Sequence, residues 1–230
     1  MIKRKIEKQI KKYLGKFPIL TLTGVRQCGK STLLKNMFKD WTYVSLEDID
    51  LRNLAIKDPR GFLNNYNKHT IFDEAERAPE LFSYLQTKVD SENTMGQYIL
   101  SGSHNFRLME NISQSLAGRV AVLTLASFSI DELLNEGNIP INKDEIMLKG
   151  FYPAIYDRNL EPSEYFSSYI DTYIERDVRL IQNILNAPNF IRFIKLLASR
   201  IGQVINYTDL ANKIELSIPT IKSYLSNMSR

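Results

Sequence analysis

Cysteine is almost absent from this 230-residue chain: Cys28 stands alone, which excludes an internal disulfide framework and any multi-cysteine metal site. Histidine is nearly as scarce, and His69 and His104 are too few for a histidine metal cluster. No apolar run approaches the roughly 20 residues that a membrane-spanning helix needs. The basic N-terminus is not followed by the continuous apolar stretch of a secretory signal. Internal repeats and low-complexity segments are missing as well. What these absences leave is a soluble, cytoplasmic protein without a membrane span.

What is present is ordinary for a folded protein, with 43% hydrophobic and 24% charged residues. The length suffices for one large or two small domains with sizeable cores. Charge is unevenly held. Residues 1–16 carry seven of the 30 basic residues and one of the 26 acidic ones, so +6 of a net +4 lies there and the remainder sums to −2. The sequence pI near 9.0 therefore reports one segment. Ile2, Ile6, Ile10 and Leu14 recur every four residues, so 2–14 reads as an amphipathic helix with a lysine-coated outer face. Such a face suits nucleic acid or an anionic surface. It is also the solvated side of a helix packed through its isoleucines, and that reading is favoured.

Gly24 to Ser31 reads GVRQCGKS, a glycine, four residues, then Gly-Lys-Ser. An apolar run, Ile19 to Leu22, precedes it, and Thr32, Leu33 and Leu34 can open a helix. Strand, tight turn and helix N-terminus in that order are what a phosphate-cradling loop requires. Gly24 and Gly29 free the backbone to aim successive N–H groups at phosphate oxygens. Val25, Arg26, Gln27, Cys28 and Thr32 complete the candidate nucleotide-binding stretch. Lys30 would neutralise β- and γ-phosphates, and the Ser31 hydroxyl would bind Mg²⁺. Cys28, near a helix N-terminus, is expected to carry thiolate character and to alkylate quickly.

Strand-like runs follow at Trp41 to Leu46, His69 to Glu74, Gln97 to Leu100 and Val120 to Leu125, with Phe17 to Leu22 as the first. Helical stretches lie between them, with a break near Pro59-Arg60-Gly61. Strands alternating with helices argue for an α/β fold with a parallel sheet covered on both faces. Helices dominate beyond Ser129, notably Ile130 to Asn135 and Glu164 to Leu185.

Asp73 and Glu74 end an apolar strand, where a parallel sheet places its ligand chemistry. Asp73 would hold Mg²⁺ beside Ser31, and Glu74 would act as general base on water. Alone, an acidic pair after a strand signifies no more than a helix start. The next strand ends in Ser101-Gly102-Ser103. Ser103 is a candidate sensor of the γ-phosphate, with a structural turn as the alternative, and His104 reads as a surface residue. Arg119, just before the last strand, is either an arginine finger, in its own site or a neighbour's, or the partner of a surface acid.

In order, GVRQCGKSTLL, IFDEAERAPELF, ILSGSHNFRLM and SLAGRVAVLTLASFSIDEL resemble one group of AAA-type P-loop ATPases, which often carry a C-terminal domain of unknown function. GFYPAIY (150–156) and TYIERDVRLI (172–181) match segments that follow the ATPase core in that group, so the resemblance covers nearly the whole chain. It implies an AAA-type ATPase core, ATP and Mg²⁺ as ligands, and a winged-helix-like block after the core. Members usually have glutamine where this chain has Glu76 and proline where it has Ala126. They also tend to continue past the point where this chain stops, which would make it a fragment or a short form.

Near the C-terminus, Thr208 is expected to cap a first helix, while Ser217 caps a second that has Pro219 in its first turn. Helix, short turn, helix reads as helix-turn-helix. Its would-be recognition helix carries Thr220, Lys222, Ser223, Asn227 and, at the end, Arg230, a thin basic supply for DNA. The expected organisation is a basic helix over 1–16, an ATPase core over 17–128, a helical connector over 129–188 and the helix-turn-helix block over 189–230. The leading functional expectation is an ATP-hydrolysing switch that repositions the C-terminal helices. The alternative is a DNA-binding regulator in which nucleotide is mainly structural. A P-loop kinase ranks third, because Asp73-Glu74 suits activation of water. Weak DNA contact, an unidentified protein and further copies of the chain are the expected partners.

Overall fold

The computed structural model describes residues 2–103, 106–137, 142–173 and 187–228. The chain divides into two compact units, Met1–Leu160 and Glu161–Arg230. Among the described residues the first contains five strands: β1 Ile19–Thr23, β2 Thr42–Ser45, β3 Thr70–Asp73, β4 Tyr98–Ser101 and β5 Val120–Thr124. They form one parallel sheet in the order β2-β3-β4-β1-β5. Its helices in chain order are α1 Glu7–Leu14, α2 Lys30–Met37, α3 Ile49–Lys57, α4 Pro59–Asn65, α5 Glu80–Glu92, α6 Phe106–Ser115, α7 Ile130–Asn135, α8 Lys143–Lys149 and α9 Pro153–Asp157.

Strand side chains alternate between two separate cores. Along β4, Tyr98 and Leu100 join one core and Ile99 the other; along β3, Phe72 joins the first and Ile71 the second. The first core is closed by Ala55 of α3, Phe62 and Leu63 of α4, Leu81, Phe82, Leu85 and Val89 of α5, and Leu108 and Ile112 of α6. The second is closed by Ile10 of α1 and by Leu33 and Leu34 of α2. Burial on both faces explains the consecutive apolar residues of the central strands, Ile71-Phe72 in β3 and Tyr98-Ile99-Leu100 in β4. β5 is an edge strand, and its Val122 is partly open to solvent.

The N-terminal helix is shorter than the isoleucine repeat predicts, starting at Glu7. The Arg4 N–H bonds to Glu7 Oε1 at 2.8 Å, and the Lys5 N–H bonds to Glu132 of α7 at 2.7 Å. These side-chain acceptors hold the backbone outside the helix. Ile10 is fully buried, whereas Lys3, Lys5, Lys8, Lys11, Lys12 and Lys16 are exposed. Arg4, one of the seven basic residues of 1–16, is buried.

The second unit contains α10 Pro162–Tyr173, α11 Ala187–Ala198, α12 Tyr207–Ile214 and α13 Ile218–Met228. Phe190, Phe193, Leu210, Ala211, Ile214, Ile221 and Tyr224 form its core. The expected helix over 164–185 lies within the described residues only as far as Tyr173, and 174–186 falls outside them. Asn206, not Thr208, caps α12, because its side chain accepts the Asp209 N–H at 3.1 Å and helical geometry begins one residue before Thr208. Ser217 does cap α13, its hydroxyl oxygen accepting the Thr220 N–H at 3.3 Å. Glu215, with φ of 58°, turns the chain between the two helices. Among the described residues no helix is long and apolar enough to cross a membrane.

Phe72 is the centre of the larger core, stacked on Tyr98 at 5.9 Å and tilted on Phe62 at 5.6 Å between ring centroids. Phe72→Ala is expected to cost about 3–5 kcal/mol of unfolding free energy, the range for deleting a buried ring. Urea unfolding followed by circular dichroism measures it, and a loss below about 1 kcal/mol would show that this core relaxes to fill the space.

Candidate nucleotide site

β1 delivers the chain to Gly24, whose φ of 153° and close packing admit no side chain: a Cβ there would lie 2.2 Å from the Leu125 carbonyl oxygen. Gln27 (φ 60°) and Gly29 (φ 95°) are both left-handed, and Gly29 leads into α2 with no side-chain cap on the helix. An uncapped helix start after a glycine turn presents backbone N–H groups to an anion. Lys30, only 7% exposed, reaches back across the loop and donates from Nζ to the carbonyls of Gly24 (2.8 Å) and Val25 (3.1 Å). Val25, Gln27 and Thr32 are exposed and Arg26 is half-buried.

Cys28 departs from expectation. It is fully buried in the second core, among Leu20, Leu22, Leu33 and Leu34. Burial pushes its thiol up, outweighing the opposing charges of Lys30 and Arg4. The residue supplies its backbone to the loop and its sulfur to the core, so a reactive thiolate is not what this position holds.

The sheet register places Asp73 beside the loop. Asp73 of β3 lies opposite Ser101 of β4, which lies opposite Leu22 of β1, two residues before Gly24. Ser31 donates from Oγ to Asp73 Oδ2 at 2.8 Å, and Tyr43 of β2 donates to the same oxygen. Ser101 donates to Oδ1. The carboxylate, 6% exposed, is thereby held by three hydroxyls. Burial pushes the Tyr43 phenol up, and its bond to Asp73 adds to this. The sequence points to neither Tyr43 nor Ser101: one lies inside its strand, and the other is masked by the more loop-like Ser103.

Glu74, immediately after β3, is left-handed at φ 55°. Burial raises its carboxyl to about 7, and the charges of Glu76, Asp73 and Glu47 push the same way against Arg77. Arg77 Nε stands 3.9 Å from Glu74 Oε2 and its Nη2 bonds Glu47 at 3.3 Å. Ser103 donates to Glu76 Oε1 at 3.0 Å, and Gly102 is pressed so close to Glu76 that a Cβ would lie 2.1 Å from Oε2. Ser103 thus has an acidic partner, an arrangement that fits the structural-turn alternative. His104 lies outside the described residues.

The "AAA domain" family (AAA_14) matches residues 16–134, just over half of the chain, and a domain of unknown function (DUF8612) matches 142–230. The chain belongs to the AAA domain family. Uncharacterized proteins of Mycobacterium tuberculosis (Rv2008c) and Mycobacterium bovis (Mb2031c) are each 27% identical over 226 residues, which is 96% of this chain. The chain spans about half the length of these relatives, 50% of each. The Walker-type ATPase PABY2304 of Pyrococcus abyssi shares the fold, with a TM-score of 0.59 at 14% identity, over 100% of this chain and 89% of that one.

Within the AAA domain, Arg119 sits at the wrong end for a finger in its own site. Its carbonyl accepts the N–H of Ile19, the first residue of β1, so Arg119 lies at the opposite end of the sheet from the loop. Its guanidinium makes a two-pronged pair with Asp90 on the surface, at 2.5 and 2.8 Å. Arg4 is a residue that pattern reading passed over as one more basic charge. Its buried guanidinium donates from Nη1 to the Cys28 carbonyl (3.0 Å), from Nη2 to those of Ala126 (2.6 Å) and Ser127 (3.1 Å), and from Nε to Glu132 (3.3 Å).

Glu74 carries a pH signature. A carboxyl raised in the fold favours the protonated folded state, so the cost of ionising it is absent well below its ordinary value of 4.5. That cost grows as pH rises and is complete above about 7. Glu74→Gln is therefore expected to raise the melting temperature of the ligand-free protein at about pH 8 and to leave it nearly unchanged at about pH 4. Calorimetric scans at the two pH values check this; equal shifts at both would show that ionisation of Glu74 is not what the fold resists.

Proposed function

We propose that this AAA domain binds and hydrolyses ATP at the loop over Gly24 to Thr32, with Glu74 activating the attacking water. One observation carries the reading: the Ser31 hydroxyl, at the start of the helix after the glycine loop, lies 2.8 Å from the Asp73 carboxylate, with Glu74 next in the chain. Lys30 and the uncapped N–H groups of α2 supply positive potential for a polyphosphate. Ser31 and Asp73 are hard oxygen donors set side by side, a set that fits Mg²⁺ shared with phosphate oxygens. When bound, Mg²⁺ would neutralise charge on the β- and γ-phosphates. Tyr43 and Ser101 fix the direction of the Asp73 oxygens. A carboxyl raised to about 7 suits a general base working at neutral pH, and Glu74 follows directly on the strand that carries Asp73. Repositioning of the helices of residues 161–230 by the state of the nucleotide belongs to the same proposal.

A DNA-binding regulator in which nucleotide only stabilises the fold is the second reading, favoured by the six exposed lysines of residues 3–16 and by the α12–α13 pair. Release of phosphate separates the two. The unmodified chain is expected to release phosphate from Mg-ATP, and Lys30→Ala to lose nucleotide binding. Glu74→Gln is expected to bind ATP normally and turn it over roughly a hundredfold more slowly, the usual loss for a general base. Turnover at the parent rate in Glu74→Gln would remove Glu74 from the mechanism. ATP binding with no phosphate release by the parent would favour the regulator.

Arg119 enters this scheme only across an interface between copies of the chain. Arg119→Ala in dilute protein at saturating ATP is accordingly expected to turn over as the parent does. A loss that appears only as protein concentration rises would establish a contribution in trans, whereas a loss at every concentration would contradict the placement at the far end of the sheet.

A further inference from the structure

We propose that Arg4 is a positioning residue of the phosphate loop, fixing the orientation of the Cys28–Gly29 peptide so that its N–H faces the polyphosphate. The inference rests on the nucleotide-binding reading above. The Cys28–Gly29 bond is trans, so its carbonyl and its N–H point in opposite directions. Arg4 Nη1 holds the Cys28 carbonyl at 3.0 Å and thereby turns the Gly29 N–H away from the guanidinium. Without that hold this peptide is free to turn over, because flipping it rotates ψ of residue 28 and φ of residue 29, and Gly29, already at φ 95°, accepts either sense.

The guanidinium is itself immobilised. Its planar fork is occupied on three sides by Cys28, by Ala126 with Ser127, and by Glu132, and it lies 4.7 Å from the centre of the Phe128 ring. Glu132 is fixed in turn by the N–H groups of Lys5 (2.7 Å) and Ser129 (2.9 Å). Those bonds, with the Arg4 charge, hold its carboxyl below the ordinary range although burial pushes the other way. The Arg4 charge is therefore balanced within its own cluster, and its effect on the nucleotide is one of geometry and not of added attraction. Loop N–H groups cradle the α- and β-phosphates, so the effect belongs to ADP and ATP alike.

The test measures the affinities of the full chain for fluorescent ADP and ATP analogues, together with its melting temperature. Arg4→Met is expected to weaken both nucleotides at least about tenfold and to the same degree, the scale of one hydrogen bond to a charged group. Arg4→Lys keeps the charge but cannot fill the fork, so it is expected to stay weakened for both. It also serves as the readable variant if Arg4→Met does not fold. Ile10→Val loosens the packing of α1 but removes none of the hydrogen bonds of Arg4, and its affinities are expected to stay within about twofold of the parent for a fall in melting temperature. Parent-like affinities in both Arg4 variants would overturn the proposal. So would a loss in Ile10→Val equal to that in Arg4→Met, since the effect would then follow docking of α1. If the parent itself binds neither nucleotide, the nucleotide-site reading has failed and the inference falls with it. If the parent binds without releasing phosphate, only the hydrolysis reading fails.

Discussion

The carboxylate of Asp73 accepts hydrogen bonds from the hydroxyls of Ser31 on α2, Tyr43 on β2 and Ser101 on β4. Four separate elements, α2, β2, β3 and β4, must therefore arrive at one point, and the parallel register delivers the three strands there. Ser45 lies opposite Asp73 on one side of β3 and Ser101 on the other, so a slip of one residue in either pairing would turn the carboxylate to the wrong face. Neutral hydroxyls stabilise a buried anion without cancelling its charge, which leaves the carboxylate available to a cation.

Around that hub the backbone is unusually constrained. Gln27 and Glu74 are non-glycine residues in the left-handed region, where each costs on the order of 1–3 kcal/mol. Gly24 abuts the Leu125 carbonyl and Gly102 abuts Glu76. Such positions persist only where the surroundings over-determine them, and the two cores on either side of the sheet do so here. Phe72 and Tyr98 anchor the strands that carry Asp73 and Ser101 from one side, and Leu22, Leu33 and Leu34 grip the loop's two ends from the other.

Much of this was legible in the sequence because it obeys local rules. All five strands lie within a residue or two of the apolar and β-branched runs that predict them, since the central strands are covered on both faces. The glycine-lysine-serine spacing located the loop, and Asp73-Glu74 located its acidic partner. What stayed hidden depends on long-range contacts. Tyr43 meets Asp73 only after β2 and β3 pair, and Arg4 meets Cys28, Ala126 and Glu132 only after three remote segments converge. Arg119 illustrates the converse. Its place before a strand was clear, but which end of the sheet that implies follows from the parallel direction of β5.

The burial of Cys28 beneath its own loop separates two kinds of chemical vulnerability. The sulfur lies under Gly24, 3.0 Å from where a Cβ would stand, with aliphatic side chains of β1 and α2 around it. An oxidant in solution meets the backbone of the loop first and reaches the sulfur only once β1 and α2 part. A sulfenic or sulfonic acid formed there has no room in the closed fold, so oxidation of this thiol would trap the opened chain. Oxidation of Cys28 would thus record how often the domain opens.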